Sequence, residues 1–203
     1  HGGLDGSCGV RKHCGDYNSP RHDRSSQAVA KIRIFSRRLH FTTPCGMSYF
    51  IKRVDYLDSK DATDLLRMLR EYARFENCDR PELDAIPGKL ADFPTAFSVL
   101  AYVDRSQSDV IGLVNCLFGF STFAMRPLVN IHDVIVTSPF RGQGVAAAML
   151  DEVELIARMH DCCRLTLEVY GDNAPARRAY GKHGFTRDPS HPDVDVHFLR
   201  KAL

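Results

Sequence analysis

An α/β domain with a mixed sheet is the fold class this sequence predicts, and three observations predict it. From Met47 onward the pattern reads strand, two helices, two strands, then strand–turn–helix, then strand, helix and strand. Two long segments, Lys60–Phe75 and Gln143–His160, carry apolar residues at helical spacing. Between them, Asp133–Leu150 (DVIVTSPFRGQGVAAAML) runs an apolar strand into a glycine-rich turn and the turn into an amphipathic helix.

Each element has a local reason. Tyr49–Tyr56 reads as a short strand. Ser59 is placed to cap a helix from Lys60 to Phe75, whose stripe is Ala62, Leu65, Leu66, Leu69, Tyr72 and Ala73. Pro81–Leu90 predicts a shorter helix with proline in its first turn. Ala96–Asp104 and Asp109–Phe120 predict strands around a turn at Arg105–Ser108, and the second is apolar enough to be buried on both faces. Ile131–Val136 leads into the glycine turn. The helix Gln143–His160 carries the stripe Val145, Ala146, Met149, Leu150, Val153, Ile156 and Ala157. Arg164–Tyr170 is a strand, and Asp172-Asn173-Ala174-Pro175 opens a helix that Gly184 closes. Asp193–Arg200 reads as a last strand.

Charge and cysteine narrow the class. The 203 residues carry a formal charge of +2, with a basic segment 1–46 and a mildly acidic body 47–203. An acidic body does not point to nucleic acid and is compatible with a cationic substrate. No apolar run approaches the ~18 residues that would span a membrane. Residues 1–46, rich in Gly, Ser, Arg and His, are expected to be a disordered leader: non-native or upstream sequence, a targeting peptide or a basic arm. The domain is expected to occupy 47–203. Seven cysteines, odd in number and irregularly spaced, read as reduced thiols of a cytoplasmic protein without a disulfide framework. Cys8, His13, Cys14 and His22 have poor spacing for zinc, so no metal is expected.

The glycine turn is an anion site by construction. Glycines let backbone N–H groups turn toward a ligand, and a helix start adds partial positive charge. A triphosphate-binding loop would need Gly-Lys-Ser/Thr, whereas Val145-Ala146 follows Gly144. Gly142-Gln-Gly144-Val-Ala-Ala147 matches a dinucleotide fingerprint, but the chain after Tyr170 is too short for the rest of that fold.

A third reading fits both halves of the site. Arg141-Gly-Gln-Gly144-Val-Ala146 resembles the R/Q-x-x-G-x-G/A signature of the GNAT N-acetyltransferases, and Asn173 to Phe185 (NAPARRAYGKHGF) resembles that family's second coenzyme A segment. The resemblance covers about 155 residues. Asp64–Glu76 and Asp133 further resemble the diamine (spermidine/spermine) acetyltransferase branch. The resemblance implies the GNAT fold: a mixed, mostly antiparallel sheet of six to seven strands flanked by about four helices. It implies acetyl-CoA as cosubstrate and an amine, small molecule or protein lysine, as acceptor. The alternative function is an acyl-CoA-binding sensor or scaffold without catalysis.

The resemblance also assigns residues. Backbone groups of Val134, Ile135 and Val136 would pair with the pantetheine arm, one N–H facing the thioester oxygen. The turn Arg141, Gly142, Gln143, Gly144, Val145, Ala146 and Ala147 would hold the pyrophosphate. Asn173 and Ala176 would contact the cofactor. Tyr180, seven residues after Asn173 and so on the same helix face, would protonate the leaving thiolate. His132 heads the candidates for a base, ahead of Asp133, Glu168 or a water chain. No cysteine has a nucleophile context, which points to direct attack in a ternary complex. Family habit implies a homodimer, pairing through Ser190–Val196.

Overall fold

The computed structural model describes residues 39–42, 48–78 and 80–186. Six strands form one sheet in chain order: β1 (Leu39–Thr42), β2 (Ser48–Arg53), β3 (Ala96–Tyr102), β4 (Val110–Ser121), β5 (Arg126–Val136) and β6 (Leu165–Leu167). Every pairing is antiparallel except β5–β6, which is parallel. Four α-helices accompany them among the described residues: α1 (Ser59–Phe75), α2 (Ile86–Ala91), α3 (Val145–Met159) and α4 (Ala174–Lys182).

The chain differs from its sequence expectation in several places. The sheet starts before Met47, because β1 pairs with β2 from within the segment expected to be leader. Pro81–Leu90 divides into a 3₁₀ turn, Pro81–Ala85, followed by α2. β5 begins at Arg126, so β4 and β5 form a long hairpin whose tip leaves Phe120, Phe123 and Met125 exposed. β4 is therefore buried on both faces only in its first half. β6 stops at Leu167, short of the expected Tyr170. The expected strand Asp193–Arg200 and the expected pairing segment Ser190–Val196 lie outside the described residues.

Helices cover both faces of the sheet. On one face Leu65, Met68 and Leu69 of α1 pack against Phe50, Leu100, Tyr102, Leu113 and Ile135. On the other, Val145, Met149, Leu150, Val153 and Ile156 of α3 pack against Ile51, Val99, Ile111, Val114, Val129 and Ile131. Each such aliphatic side chain contributes about 1.5–3 kcal/mol by leaving water. Gly112 lets α3 close on the sheet at its first turns. A Cβ there would come within 2.8 Å of Met149 Cε and 3.3 Å of Val145 Cγ1. The packing on this residue therefore helps set where the start of α3 sits.

Both ends of α1 are closed locally. Asp58, one residue before the expected Ser59, caps its start by accepting from Asp61 N–H at 2.9 Å, and Cys78 N–H returns to Ala73 C=O at 2.7 Å behind the left-handed Asn77. Asp61, fully buried, takes Lys52 Nζ at 2.6 Å and the Asp55 N–H at 2.9 Å, fixing the α1 start to β2.

Under α3 sits a less satisfied polar group. Glu152 is 5% exposed, and its Oε2 has no hydrogen-bond partner among the described residues. Burial pushes its carboxyl up to about 7, with the Arg53 charge opposing the rise. A raised folded-state value means that the native chain holds a proton which the unfolded chain releases above about 4.5. Glu152 therefore supports folding below that point and costs stability as pH rises toward 7. Denaturation midpoints measured from pH 5 to 8 are predicted to fall for the wild type and to fall less for Glu152→Gln; identical slopes would remove Glu152 from the account.

Candidate active site

The site begins where two strands part. β5 pairs with β4 along its whole length but with β6 only at Val129↔Leu165, Asn130↔Thr166 and Ile131↔Leu167. Beyond Ile131 the other edge of β5 has no neighbouring strand among the described residues.

The phase of the β4–β5 ladder tells which backbone groups face that opening. Thr137 N–H donates to Ile111 C=O at 2.9 Å, so Thr137 is a hydrogen-bonded position. Alternation makes Ile135 another and turns Val134 and Val136 outward. The N–H groups of Val134 and Val136 thus face the gap. Ile135 does not present its backbone there: it pairs with Leu113, and its side chain is buried beneath α1.

The glycine turn lies directly beyond. Gly142 and Gly144 have φ of +76° and +86°, a left-handed backbone that any Cβ would strain. Gly144 precedes α3 with no side-chain cap. The first bond of the helix is Ala148 N–H to Gly144 C=O at 3.0 Å. The N–H groups of Val145, Ala146 and Ala147 consequently have no helical acceptor and add to the positive end of the helix. That is a cradle of backbone donors of the kind that suits an anion.

The helix α4 follows β6 in the chain. Asn173 caps it, its Oδ1 accepting from Ala176 N–H at 3.2 Å. Seven residues on, Tyr180 packs against the α3-side core and meets Phe185 edge-on at 5.8 Å. Burial pushes the Tyr180 phenol above its ordinary value, so it stays protonated at neutral pH. The parted strand edge, the start of α3 and Tyr180 share one support: Val134, Val136, Val145 and Tyr180 all pack in or against the α3-side core.

The sequence profile of the acetyltransferase (GNAT) family matches residues 62–185, more than half of the chain. The chain belongs to the GNAT acetyltransferase family. It is 26% identical over 125 residues to the human spermidine/spermine N(1)-acetyltransferase-like protein 1, a segment covering 58% of this chain and 18% of that protein. It is 32% identical over 98 residues to the L-amino acid N-acetyltransferase AaaT of Escherichia coli K12, covering 48% of this chain and 57% of that one. The matched part thus spans about half the length of one relative and less than a fifth of the other. Among solved structures, a probable acetyltransferase superposes with a TM-score of 0.64 at 20% identity, over 74% of this chain and 99% of its own.

Within this GNAT domain several side chains are committed to the scaffold. Arg141 donates from Nε to Val136 C=O at 2.8 Å, and its guanidinium lies over the Phe75 ring at 5.6 Å. It ties the turn to β5 and α1. Gln143 donates to Pro139 C=O at 2.7 Å and accepts from Tyr49 O–H at 3.2 Å. Both residues stiffen the cradle through their side chains and leave backbone N–H groups to meet an anion.

His132 and Asp133 have different surroundings. The β4–β5 register shifts after the pair Asn115↔Asp133, so that Cys116 lies opposite Ile131 and His132 is the extra residue of a β-bulge. His132 is exposed. Asp133 is half-buried, and its Oδ2 accepts from Asn115 Nδ2 at 2.9 Å. Glu168 is exposed, its Oε1 3.5 Å from Asn130 Nδ2.

Sequence reasoning missed three members of this neighbourhood. Tyr72 of α1 was only one more residue in a helical stripe. Its phenol is pushed up to about 12, chiefly by burial and then by the charge of Asp133, with Glu76, Tyr170 and Tyr180 also within electrostatic reach. Tyr170 is largely exposed at the rim. Asn115 carried the clearest signal: it is the one polar side chain in the apolar run Val110–Phe118. Of the acids between α1 and β3, Asp84 holds Arg70 at 2.6 Å, Glu82 and Asp92 are exposed, and Asp79 lies outside the described residues.

Cys116 is buried, and burial pushes its thiol well above the ordinary range. Among the described residues no three His, Cys, Asp or Glu side chains come together to hold a metal; Cys8, His13, Cys14 and His22 lie outside them. No helix there is long and apolar enough to cross a membrane. A separate cavity of about 390 Å³ lies between α3, β6 and the end of α4, against Cys162, Cys163 and His183, and shares none of the cleft residues.

Replacing Gly144 with valine imposes a Cβ on a backbone at φ +86°. The strain, about 1–2 kcal/mol, is relieved by rotating the N–H groups that form the cradle. Calorimetry is expected to show coenzyme A binding weakened at least about tenfold (equivalent to ~1.4 kcal/mol), with the far-ultraviolet spectrum unchanged. Undiminished affinity would mean that the turn does not hold the cofactor.

Proposed function

We propose that this chain transfers acetyl from acetyl-CoA to a primary amine of a small molecule, by direct attack in a ternary complex. The observation that carries the reading is the parted β5 edge, with outward Val134 and Val136, running into an uncapped glycine turn, with Tyr180 packed against the same core. The names of the two relatives, one for spermidine and spermine and one for L-amino acids, support a small amine as acceptor. A cytoplasmic setting belongs to this reading, on the odd number and irregular spacing of the seven cysteines.

Three tasks then fall to named groups. Acetyl-CoA supplies the activated thioester. The Val134 and Val136 backbone holds its arm as an added strand would, and the Val136 N–H faces the carbonyl oxygen on which charge develops. The N–H groups from Arg141 to Ala147 hold the pyrophosphate, and Asn173 keeps an amide N–H₂ for the cofactor while its oxygen caps α4. Tyr180, kept protonated by burial, donates a proton to the departing thiolate.

The acceptor amine must arrive close to Asp133 or His132 and lose a proton. Asp133 is the stronger candidate, because it is half-buried, oriented by Asn115 and electrostatically coupled to Tyr72. His132, first choice from sequence, is exposed on the bulge and serves better at the mouth of the cleft. A buried Cys116 thiol supports direct attack over an acetyl-enzyme.

An acetyl-CoA assay with spermidine and a mixed panel of L-amino acids, read as release of coenzyme A, tests the reading. Tyr180→Phe is expected to lower kcat about 10²–10³-fold with coenzyme A affinity within a few-fold. Asp133→Asn should lower kcat/KM for the amine more than His132→Gln does. Tight coenzyme A binding without release for any amine would favour a non-catalytic acyl-CoA sensor.

A further inference from the structure

A line of hydrogen bonds crosses the sheet beneath α1 and ends on Asp133. Tyr56 Oη lies 2.8 Å from Ser98 Oγ, Ser98 Oγ donates to Asn115 Oδ1 at 2.6 Å, and Asn115 Nδ2 donates to Asp133 Oδ2 at 2.9 Å. It joins Tyr56, three residues beyond the end of β2, to β3, β4 and β5, the last three in register across the sheet.

The direction of the line is fixed by the groups themselves. A carboxylate oxygen accepts, so the amide of Asn115 must present its N–H₂ to Asp133 and its oxygen to Ser98. The single Ser98 proton then goes to Asn115, which leaves Tyr56 as the donor to Ser98. Burial pushes the Tyr56 phenol up to about 12, which keeps that proton in place. Every donor faces Asp133, and bonds in such a chain polarise one another. Ser98 is 1% exposed, so water cannot readily substitute for these partners.

The bulge at His132 makes the terminus possible. Continuing the pairing Cys116↔Ile131 without it would set His132 opposite Asn115. The extra residue shifts the strand by one, bringing Asp133 opposite Asn115 and onto the α1 face with Ile135. Asp133 makes no other hydrogen bond to a described residue, so its Oδ1 remains for a ligand in the cleft.

We infer that Asn115 is a positioning residue, which through Ser98 and Tyr56 holds the Asp133 carboxylate in the one orientation that meets the acceptor amine. This rests on the proposed role of Asp133 and adds three residues to it, none of which needs to touch substrate. The polar residues in otherwise apolar strands thereby acquire a purpose: a carboxylate on a strand edge beside an open gap has rotational freedom that would dilute its encounter with an amine, and the Asn115 amide removes it.

The test is a double-mutant cycle with spermidine and the L-amino acid panel as acceptors. Asn115→Ala is expected to lower kcat/KM for the amine about 10–100-fold while coenzyme A affinity stays within about twofold. In an Asp133→Asn background the same change should cost less than about twofold, because there is no carboxylate left to orient. Equal losses in both backgrounds would overturn the proposal, as a merely structural Asn115 would give that result. Ser98→Ala keeps the Asn115 side chain and loses only the bond that fixes its amide; it should give a smaller loss, about 2–5-fold, and covers the case in which Asn115→Ala does not fold. Should no amine be acetylated by the wild type, the acetyltransferase reading fails by itself. Crystal structures of the wild type and Ser98→Ala then decide the positioning role. A rotated Asp133 in the variant upholds it, and an Asp133 left in place refutes it.

Discussion

The parting of β5 from β6 after three paired residues is the constraint on which the rest of this molecule depends. A continuous parallel pair would bury the outward N–H groups of Val134 and Val136 in a ladder and close the sheet. Parted, the strands leave those N–H groups without a strand partner among the described residues. Groups carried on opposite faces then come within electrostatic reach of one another: Tyr72 of α1 feels both Asp133 and Tyr180 of α4.

The parted edge carries open backbone groups, and the surrounding packing must hold them in place. β5 keeps its position through the full β4 ladder on its other edge and through Ile131 and Ile135, which are buried on opposite faces. Arg141 braces the end, bonding Val136 C=O while lying over Phe75 of α1. Gly112 admits α3 close to β4 and so helps set where the start of that helix sits. The bulge at His132 sits where pairing with β6 ends, and it exchanges which of two polar side chains faces α1. Strand parting and bulge together convert a plain β-edge into a site with a defined carboxylate.

Much of this was legible in the sequence for identifiable reasons. The stripes of α1 and α3 are periodic, and helices with such stripes bury one face whatever surrounds them. Gly142 and Gly144 announced left-handed backbone ahead of a helix without a capping side chain, and both adopt it. Asn173 and Gly184 marked the ends of α4 as expected. What stayed hidden depended on pairing. Leu39–Thr42 is a strand only because β2 lies beside it, and nothing in four residues announces a partner. The extra residue at His132 is invisible without the opposite strand, so alternation alone could not tell which of His132 and Asp133 would face α1. Tyr72 looked like core because its spacing is that of core; the open edge of β5 comes from β6 stopping early. Asn115 and Ser98 were visible as polar residues in apolar strands, and only the register reveals that they align.

Residue-resolved amide hydrogen exchange, with and without coenzyme A, tests the parted edge most directly. In the free chain the Ile135 amide, bonded into the β4 ladder, should exchange slowly and the Val136 amide quickly. Coenzyme A should protect Val136, or Val134 with it, together with the amides of Val145 to Ala147, and leave Ile135 as it was. Slow exchange at Val136 in the free chain, or no protection there on adding coenzyme A, would contradict a β5 edge held open for the cofactor.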